Sequence, residues 1–211
     1  MFRSLVFSSG GINGIYFIGC LRALEDFKIL DKIKYIRGSS IGALFGVLIV
    51  LGFTSEELKE IILHINTASI LDVSLDRLLS FPETFGIDSG EKLMKVCSIL
   101  IEQKTGNPDI TFQELYEKNP IEITIVGTCL SSRSSCYFNH TNTPDMTILD
   151  AIRISTSIPF IFEPVRIQNS IYVDGALSDT YPVNTDTPGE TIGFLINSCG
   201  NEKPVDTSLY T

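Results

Sequence analysis

Apolar positions along this chain recur with two periods, and the switches between them mark out its elements. Phe2 to Ser8 is a short β-prone run that stops at Gly10 and Gly11. From Ile12 to Phe27 the residues Ile15, Ile18, Leu21, Leu24 and Phe27 recur at helical spacing, so the chain opens as strand, glycine turn, helix. The same order returns with a strand over Ile33 to Ile36, the turn Gly38-Ser39-Ser40-Ile41-Gly42, and a run from Ile41 to Phe53 that is apolar on every side. Such a helix is expected between other layers. Thr54 and Glu57 are spaced as a capping box before an amphipathic helix with Leu58, Ile61, Ile62 and Ile65 on its inner face. Another helix is expected over Ser89 to Thr105, with Leu93, Val96, Cys97 and Leu100 inward and Gly106 at its end, and a third after the capping box of Thr111 and Glu114.

β character then returns. Ile121 to Cys129 and Ser135 to Asn139 read as strands, Thr147 to Thr156 as a helix with Ile148, Ala151, Ile152 and Ser155 on one side. Val165 to Val173 reads as a strand pair turning at Gln168 and Asn169, and Thr191 to Asn197 as a late strand. There is no internal repeat and no Pro/Ser-rich linker. The expectation is one domain over residues 1–211, of the α/β class, with a mainly parallel sheet covered on both faces. One segment fits neither period: Ala68 to Gly86 holds Leu71, Leu75, Leu78, Leu79, Phe81 and Phe85 without regular spacing. Packing into the core is the expectation there, with a lid or membrane-docking flap as the alternative.

Composition narrows the function. The 211 residues carry 16 Lys+Arg against 25 Asp+Glu, a net charge of −9, which disfavours nucleic acid as a partner. The same charge disfavours electrostatic attachment to anionic membranes, so any transient contact with a membrane surface should be apolar. Cys20, Cys97, Cys129, Cys136 and Cys199 are odd in number and never form C-x-x-C, so they read as reduced thiols and no metal site or cofactor is expected. The N-terminus lacks a signal-peptide apolar core, and the Ile41 to Phe53 run is shorter than the ~18 residues of a membrane span. Residence in the cytoplasm or another intracellular compartment is the default expectation.

Gly38-Ser39-Ser40-Ile41-Gly42 fits G-x-S-x-G between a predicted strand and a buried helix, where glycines permit the sharp turn that lifts a serine hydroxyl clear. Ser40 is the candidate nucleophile, and the Ile41 N–H at the helix start faces developing negative charge. A histidine base is poorly supplied. No His follows His140, and both His64 and His140 read as solvated surface residues. A carboxylate acting directly on the serine is the economical option, and Asp174, at an apolar strand end before Gly175 and Ala176, is best placed. Gly10, Gly11 and Gly14 open a helix after the first strand and would present backbone N–H groups to an anion, though the spacing matches neither a dinucleotide fingerprint nor a P-loop.

With these elements in this order, the sequence resembles the patatin-like phospholipase family over nearly its whole length. The resemblance rests on residues 5–14, on Gly38 to Leu44, on Asp174-Gly175-Ala176, on the small-residue and proline segment Ile154 to Pro164, and on Tyr181 to Val183. It implies a three-layer α/β/α sandwich and an enzyme that hydrolyses lipid acyl esters through an acyl-serine, without a metal. The implied roles are Ser40 as nucleophile, Asp174 as general base, and backbone N–H groups near Gly10, Gly11 and Ile12 as the oxyanion hole. Asn13 stands where the family usually carries Arg or Lys, and Pro159 lies in the segment near the acyl site. Acyl transfer to an alcohol by the same dyad, or lipid binding without catalysis, are the alternative readings.

Overall fold

Two edges of one strand organise this molecule, a computed structural model that describes residues 1–64, 75–183 and 189–197. The strands are β1 (Ser4–Phe7), β2 (Tyr35–Ser39), β3 (Gly86–Asp88), β4 (Glu122–Cys129), β5 (Ser134–Phe138), β6 (Phe160–Phe162), β7 (Val165–Ile167), β8 (Ser170–Asp174) and β9 (Thr191–Phe194). The helices are α1 (Phe17–Asp26), α2 (Ile41–Val50), α3 (Ser55–His64), α4 (Leu75–Thr84), α5 (Glu91–Thr105), α6 (Phe112–Lys118) and α7 (Ile148–Ser155). The main sheet runs β7-β8-β4-β2-β1-β9, with β5 also on β4, while β3 and β6 form a separate parallel pair. β9, β1, β2 and β4 are parallel, and β5, β8 and β7 add antiparallel strands beyond them.

Residues 125 and 126 of β4 pair with both β2 and β5, and residues 127–129 pair with both β5 and β8. Since one edge of a strand serves one partner at a time, β5 occupies one edge and β2 and β8 share the other, end to end. β2 stops at Ser39 opposite Val126, and β8 stops at Asp174 opposite Gly127. The last residues of two strands running in opposite directions therefore meet beside the middle of β4.

The two faces of the sheet are built differently. Leu5, Ile36 and Ile123 are register partners, as are Phe7, Gly38 and Ile125, and their side of the sheet carries the main core. α1, α2, α3, α5, α6 and α7 all contribute buried residues to it, and Phe7 packs between Phe17 and Phe45 with ring centroids 5.2 and 5.4 Å away. The helix apolar on every side is buried as expected, since α2 lies on β1, β2 and β4 and against α7. On the opposite face stand Val6, Arg37 and Thr124, in register, and Tyr137 beside Val126. The 3-10 turn Gly175–Leu177 and the chain beyond it cover that face, with the Tyr137 hydroxyl donating to Asp179 at 2.9 Å and the Thr128 and Ser178 hydroxyls 2.8 Å apart. A central sheet with helices packed on it is the α/β class the sequence predicts.

Both capping boxes form. The Glu57 N–H donates to Thr54 Oγ1 at 3.2 Å while Glu57 Oε2 accepts from the Thr54 N–H at 2.8 Å, and Thr111 with Glu114 repeats the reciprocal pair. Gly106 ends α5 in the left-handed region. The first helix differs from expectation. It starts as a 3-10 helix over Gly11–Tyr16, which has three residues per turn rather than 3.6, so the inward stripe shifts. Phe17, Leu21 and Leu24 are buried, whereas Ile15 and Phe27 are exposed. Residues 75–84, expected to lack a period, form α4 with Pro82 inside it, and Leu78, Leu79 and Phe85 are exposed rather than in the core. Ile65, Cys199 and residues 68–74 lie outside the described residues. Cys20, Cys97, Cys129 and Cys136 are free thiols, and burial pushes Cys97 up to about 12.

A Cβ at Gly42 would run into the carbonyls of Phe7 and Ser8, whereas one at Gly19 would meet nothing within 4 Å. Gly42→Ala should therefore destabilise the fold by about 1–3 kcal/mol. Gly19→Ala should stabilise it by about 0.5–1 kcal/mol through lower unfolded-state entropy and better helix propensity. Thermal unfolding of the two variants should move the midpoint in opposite directions from wild type, by about 2–4 °C per kcal/mol.

Candidate active site

β2 ends at Ser39 and α2 begins at Ile41, so one residue makes the whole turn from strand to helix. Ser40 does so with φ 56° and ψ −125°, on the side of backbone space that L-residues avoid. A residue held there costs on the order of 1–3 kcal/mol and persists only where its surroundings dictate the conformation. Here they do. A Cβ at Gly38 would overlap the backbone of Gly42 and Ala43, and Gly42 itself lies against the carbonyls ending β1. The helix thus presses on the strand it has just left, and Ser40 is 5% exposed at the crest.

Asp174, the last residue of β8, is 1% exposed and shares its register position with Gly127 on the helix-bearing face. Its Oδ2 accepts a hydrogen bond from Ser40 Oγ at 2.6 Å, and its Oδ1 accepts from the Ala176 N–H at 2.8 Å. The backbone is fixed as well. The Asp174 N–H donates to the Ser157 carbonyl at 2.9 Å, and the Asp174 carbonyl accepts from Thr128 Oγ1 at 2.8 Å. Gly175 is required next, because a Cβ there would overlap the Val126 carbonyl. Burial pushes the Asp174 carboxyl up to about 6, the bonds from Ser40 and Ala176 pulling the other way without overcoming it.

The glycine turn reaches the same crest. A Cβ at Gly14 would strike the Ile41 side chain, so the 3-10 helix lies directly on the start of α2. Gly10 caps the 3-10 helix with φ 174° and ψ 0°, Gly11 has φ 53°, and Gly11 and Ile12 lead the helix, where the first N–H groups have no intrahelical acceptor. Ile12 is 82% exposed. The half-buried Ile41 opens α2 and offers its N–H in the same way. Asn13 is exposed and lines a groove of about 550 Å³ with Tyr16, Cys20 and Leu195, a groove whose lining includes neither Ser40 nor Asp174. Pro159 is half-buried two residues beyond Ser157, just before β6.

Neither histidine approaches the pair. His64 is exposed at the end of α3. His140, expected in solvent, is half-buried: its ring stacks on Tyr116 with centroids 3.8 Å apart and sits 3.6 Å from Glu122. Glu122 begins β4, roughly 13 Å along the strand from Val126. The turn-like sequence around His140 concealed the Tyr116 ring, which α6 brings from elsewhere in the chain.

The resemblance placed Ile154 to Pro164 near the acyl site, but sequence reasoning missed what the individual residues at the end of α7 hold. Ser157 holds Asp174 through its carbonyl, and Arg153 donates to Ser157 Oγ and, at 2.8 Å each, to the carbonyls of Ser89 and Glu163. Ser155 accepts from the Ser40 N–H at 2.9 Å. Their clustering before Pro159 was the available signal, but only spatial contact gives each serine a partner. Together these groups hold an unionised hydroxyl against a buried carboxylate, an arrangement able to pass the hydroxyl proton to oxygen as the serine oxygen bonds to carbon.

The family model described as patatin-like phospholipase matches residues 5–186. The probable lipid hydrolase 463L of Invertebrate iridescent virus 6 is 30% identical over 185 residues, covering 87% of this chain and 62% of that protein. The uncharacterized protein R571 of Acanthamoeba polyphaga mimivirus is 31% identical over 195 residues, covering 91% of this chain and 64% of its own length. The chain thus spans somewhat less than two thirds of either relative. The crystal structure of VipD from Legionella pneumophila superposes with a TM-score of 0.68 at 15% identity, over 91% of this chain and 49% of that one, a likeness of fold. A match that begins in β1, takes in the turn at Ser40 and ends beyond Asp174 shows that this chain belongs to the patatin-like phospholipase family.

Proposed function

We propose that this chain is a lipid acyl hydrolase of the phospholipase A or esterase type, cleaving carboxylic ester bonds through an acyl-serine on a dyad of Ser40 and Asp174. The observation that carries this is the 2.6 Å bond from Ser40 Oγ to Asp174 Oδ2, made by two buried side chains at the crest of a strand-to-helix turn. Membership of the family and a relative named as a probable lipid hydrolase support a lipid ester as the substrate class.

As Ser40 Oγ bonds to the ester carbonyl carbon, its proton passes to Asp174 Oδ2. The carbonyl oxygen becomes an oxyanion received by the N–H groups of Gly10, Gly11, Ile12 and Ile41. Collapse of the tetrahedral intermediate breaks the bond to the alcohol, which takes the proton from Asp174 and leaves an ester on Ser40. Water then repeats the sequence: Asp174 takes its proton, the hydroxide oxygen bonds to the acyl carbon, and Ser40 leaves with the proton returned. A carboxyl raised to about 6 is largely ionised at neutral pH yet far more basic than an ordinary aspartate, which suits both halves of this cycle. Asn13 brings no charge to the oxyanion, so backbone dipoles carry that stabilisation. Because the net charge is −9, contact with a lipid surface is apolar.

A fluorophosphonate probe should add once, at Ser40, as mapped by peptide mass spectrometry. Ser40→Ala should take none, and Asp174→Ala should label at least about 100-fold more slowly. No adduct on folded wild type would overturn the dyad.

The rate of ester hydrolysis, as kcat/KM, should fall as pH drops through about 6, where Asp174 gains a proton and can no longer accept one from Ser40. A pH–rate profile flat from 5 to 8 would contradict that assignment.

A carboxyl raised from 3.8 to about 6 in the folded state also makes folding less favourable as pH rises between those values, because the unfolded chain ionises first. Asp174→Asn should therefore be more stable than wild type by up to about 3 kcal/mol above pH 6, and the advantage should vanish below pH 4. Denaturant unfolding at pH 4 and pH 8 checks both the size and the sign.

A further inference from the structure

β2 cannot pair with β4 beyond Ser39, because the chain turns away at Ser40. In a continuing parallel ladder the Ser40 N–H would reach the Val126 carbonyl directly. Instead a hydroxyl from another element stands between them. Ser155, fully buried at the end of α7, accepts from the Ser40 N–H at 2.9 Å and donates to the Val126 carbonyl at 2.5 Å. One side chain thus satisfies a donor and an acceptor that are 86 residues apart in sequence and uses both capacities of its hydroxyl.

From this geometry we infer that Ser155 is a positioning residue for the nucleophile: its hydroxyl splices the strained turn at Ser40 onto β4 and so aims Ser40 Oγ at Asp174. Ser40 holds φ 56° only under constraint, and the bond from its N–H to Ser155 fixes the orientation of the peptide entering it. With the N–H pinned, the Cα–Cβ bond points Oγ to within 2.6 Å of Asp174 Oδ2. The same helix end holds the other partner, since the Ser157 carbonyl accepts from the Asp174 N–H. α7 therefore sets the distance between two groups that arrive on different strands.

Without the hydroxyl, the Ser40 N–H and the Val126 carbonyl would both be buried and unsatisfied, and a Ser→Ala change frees too little space for a water. The peptide would rotate to bring the N–H to the Val126 carbonyl itself, carrying Oγ away from the carboxylate. Misplacement of a reacting group by about 1 Å costs about 100-fold in rate.

The inference rests on the dyad reading, and the test separates the two. Ser155→Ala is compared with Thr156→Ala, which removes a neighbouring buried hydroxyl that donates only to Ile152 of its own helix, at 2.8 Å. With a water-soluble p-nitrophenyl ester, Ser155→Ala should lower kcat by about 10- to 100-fold with KM within about two-fold, and slow fluorophosphonate labelling equally. Thr156→Ala should stay within about two-fold of wild type in both, whatever it does to the thermal midpoint. Ser155→Cys, which keeps the shape of the side chain with a slightly larger atom that hydrogen-bonds weakly, should behave like Ser155→Ala and serves where the alanine variant does not fold. Amide hydrogen exchange at Ser40 gives a readout independent of activity: slow in wild type, accelerated in the Ser155 variants, while Leu5 and Ile36 stay protected. Labelling and exchange at wild-type rates in the Ser155 variants would overturn the inference, as would equal slowing in Thr156→Ala. Absence of label on wild type would overturn the dyad alone, leaving exchange at Ser40 to decide the role of Ser155.

Discussion

One edge of β4 is shared by two strands running in opposite directions, and the rest of the site depends on the break between them. β2 must leave the sheet after Ser39 so that β8 can take up the pairing at Gly127. The departure creates the turn at Ser40, and the arrival delivers Asp174 to the same place. A hydroxyl and a carboxylate 134 residues apart become neighbours because backbone pairing, rather than any attraction between the side chains, fixes both strand ends. Register along β4 is itself held by the alternation of Ile123 and Ile125 toward the main core, since a slip of one residue would turn both toward the other face.

That arrangement sets stability against reactivity. Ser40 sits in a strained backbone conformation, and Asp174 is buried where its charge is poorly solvated. Both penalties are carried by surroundings packed without slack: the Gly38 and Gly42 contacts beneath the turn, the cluster in which Phe45 of α2 meets Phe7 and Phe17, and hydrogen bonds to the backbone of Asp174 from two sides. A looser core would let the turn relax into an ordinary helix cap and let water reach the carboxylate, restoring its usual acidity. In the mechanism proposed for Ser40 and Asp174, the same rigidity would let a carboxylate act where no imidazole is at hand, because direct proton transfer tolerates little variation in distance.

Much of this was legible in the residues. Periods of 3.6 and 2 located most of the elements, the capping boxes at Thr54 and Thr111 fixed two helix starts, and the unbroken apolar run after Gly42 announced a helix with no solvent face. Where the reading erred, local pattern competed with tertiary contact. The 3-10 start at Gly11 moved the inward stripe from Ile15 to Phe17, the Tyr116 ring drew His140 out of solvent, and residues 75–84 became a helix despite Pro82 and an irregular pattern.

What the chain by itself determined was local: which segments become strands and helices, where glycine alone fits the close approach of backbone to backbone, and which few residue types could carry the chemistry. Strand pairing decided the rest. Periodicity contains no record of which strand lies beside which, so the meeting of β2 and β8 on β4, the acidity of Asp174 and the bridge made by Ser155 could not be read along the sequence. Each depends on groups far apart in the chain being excluded from water together, and only the folded packing brings that about.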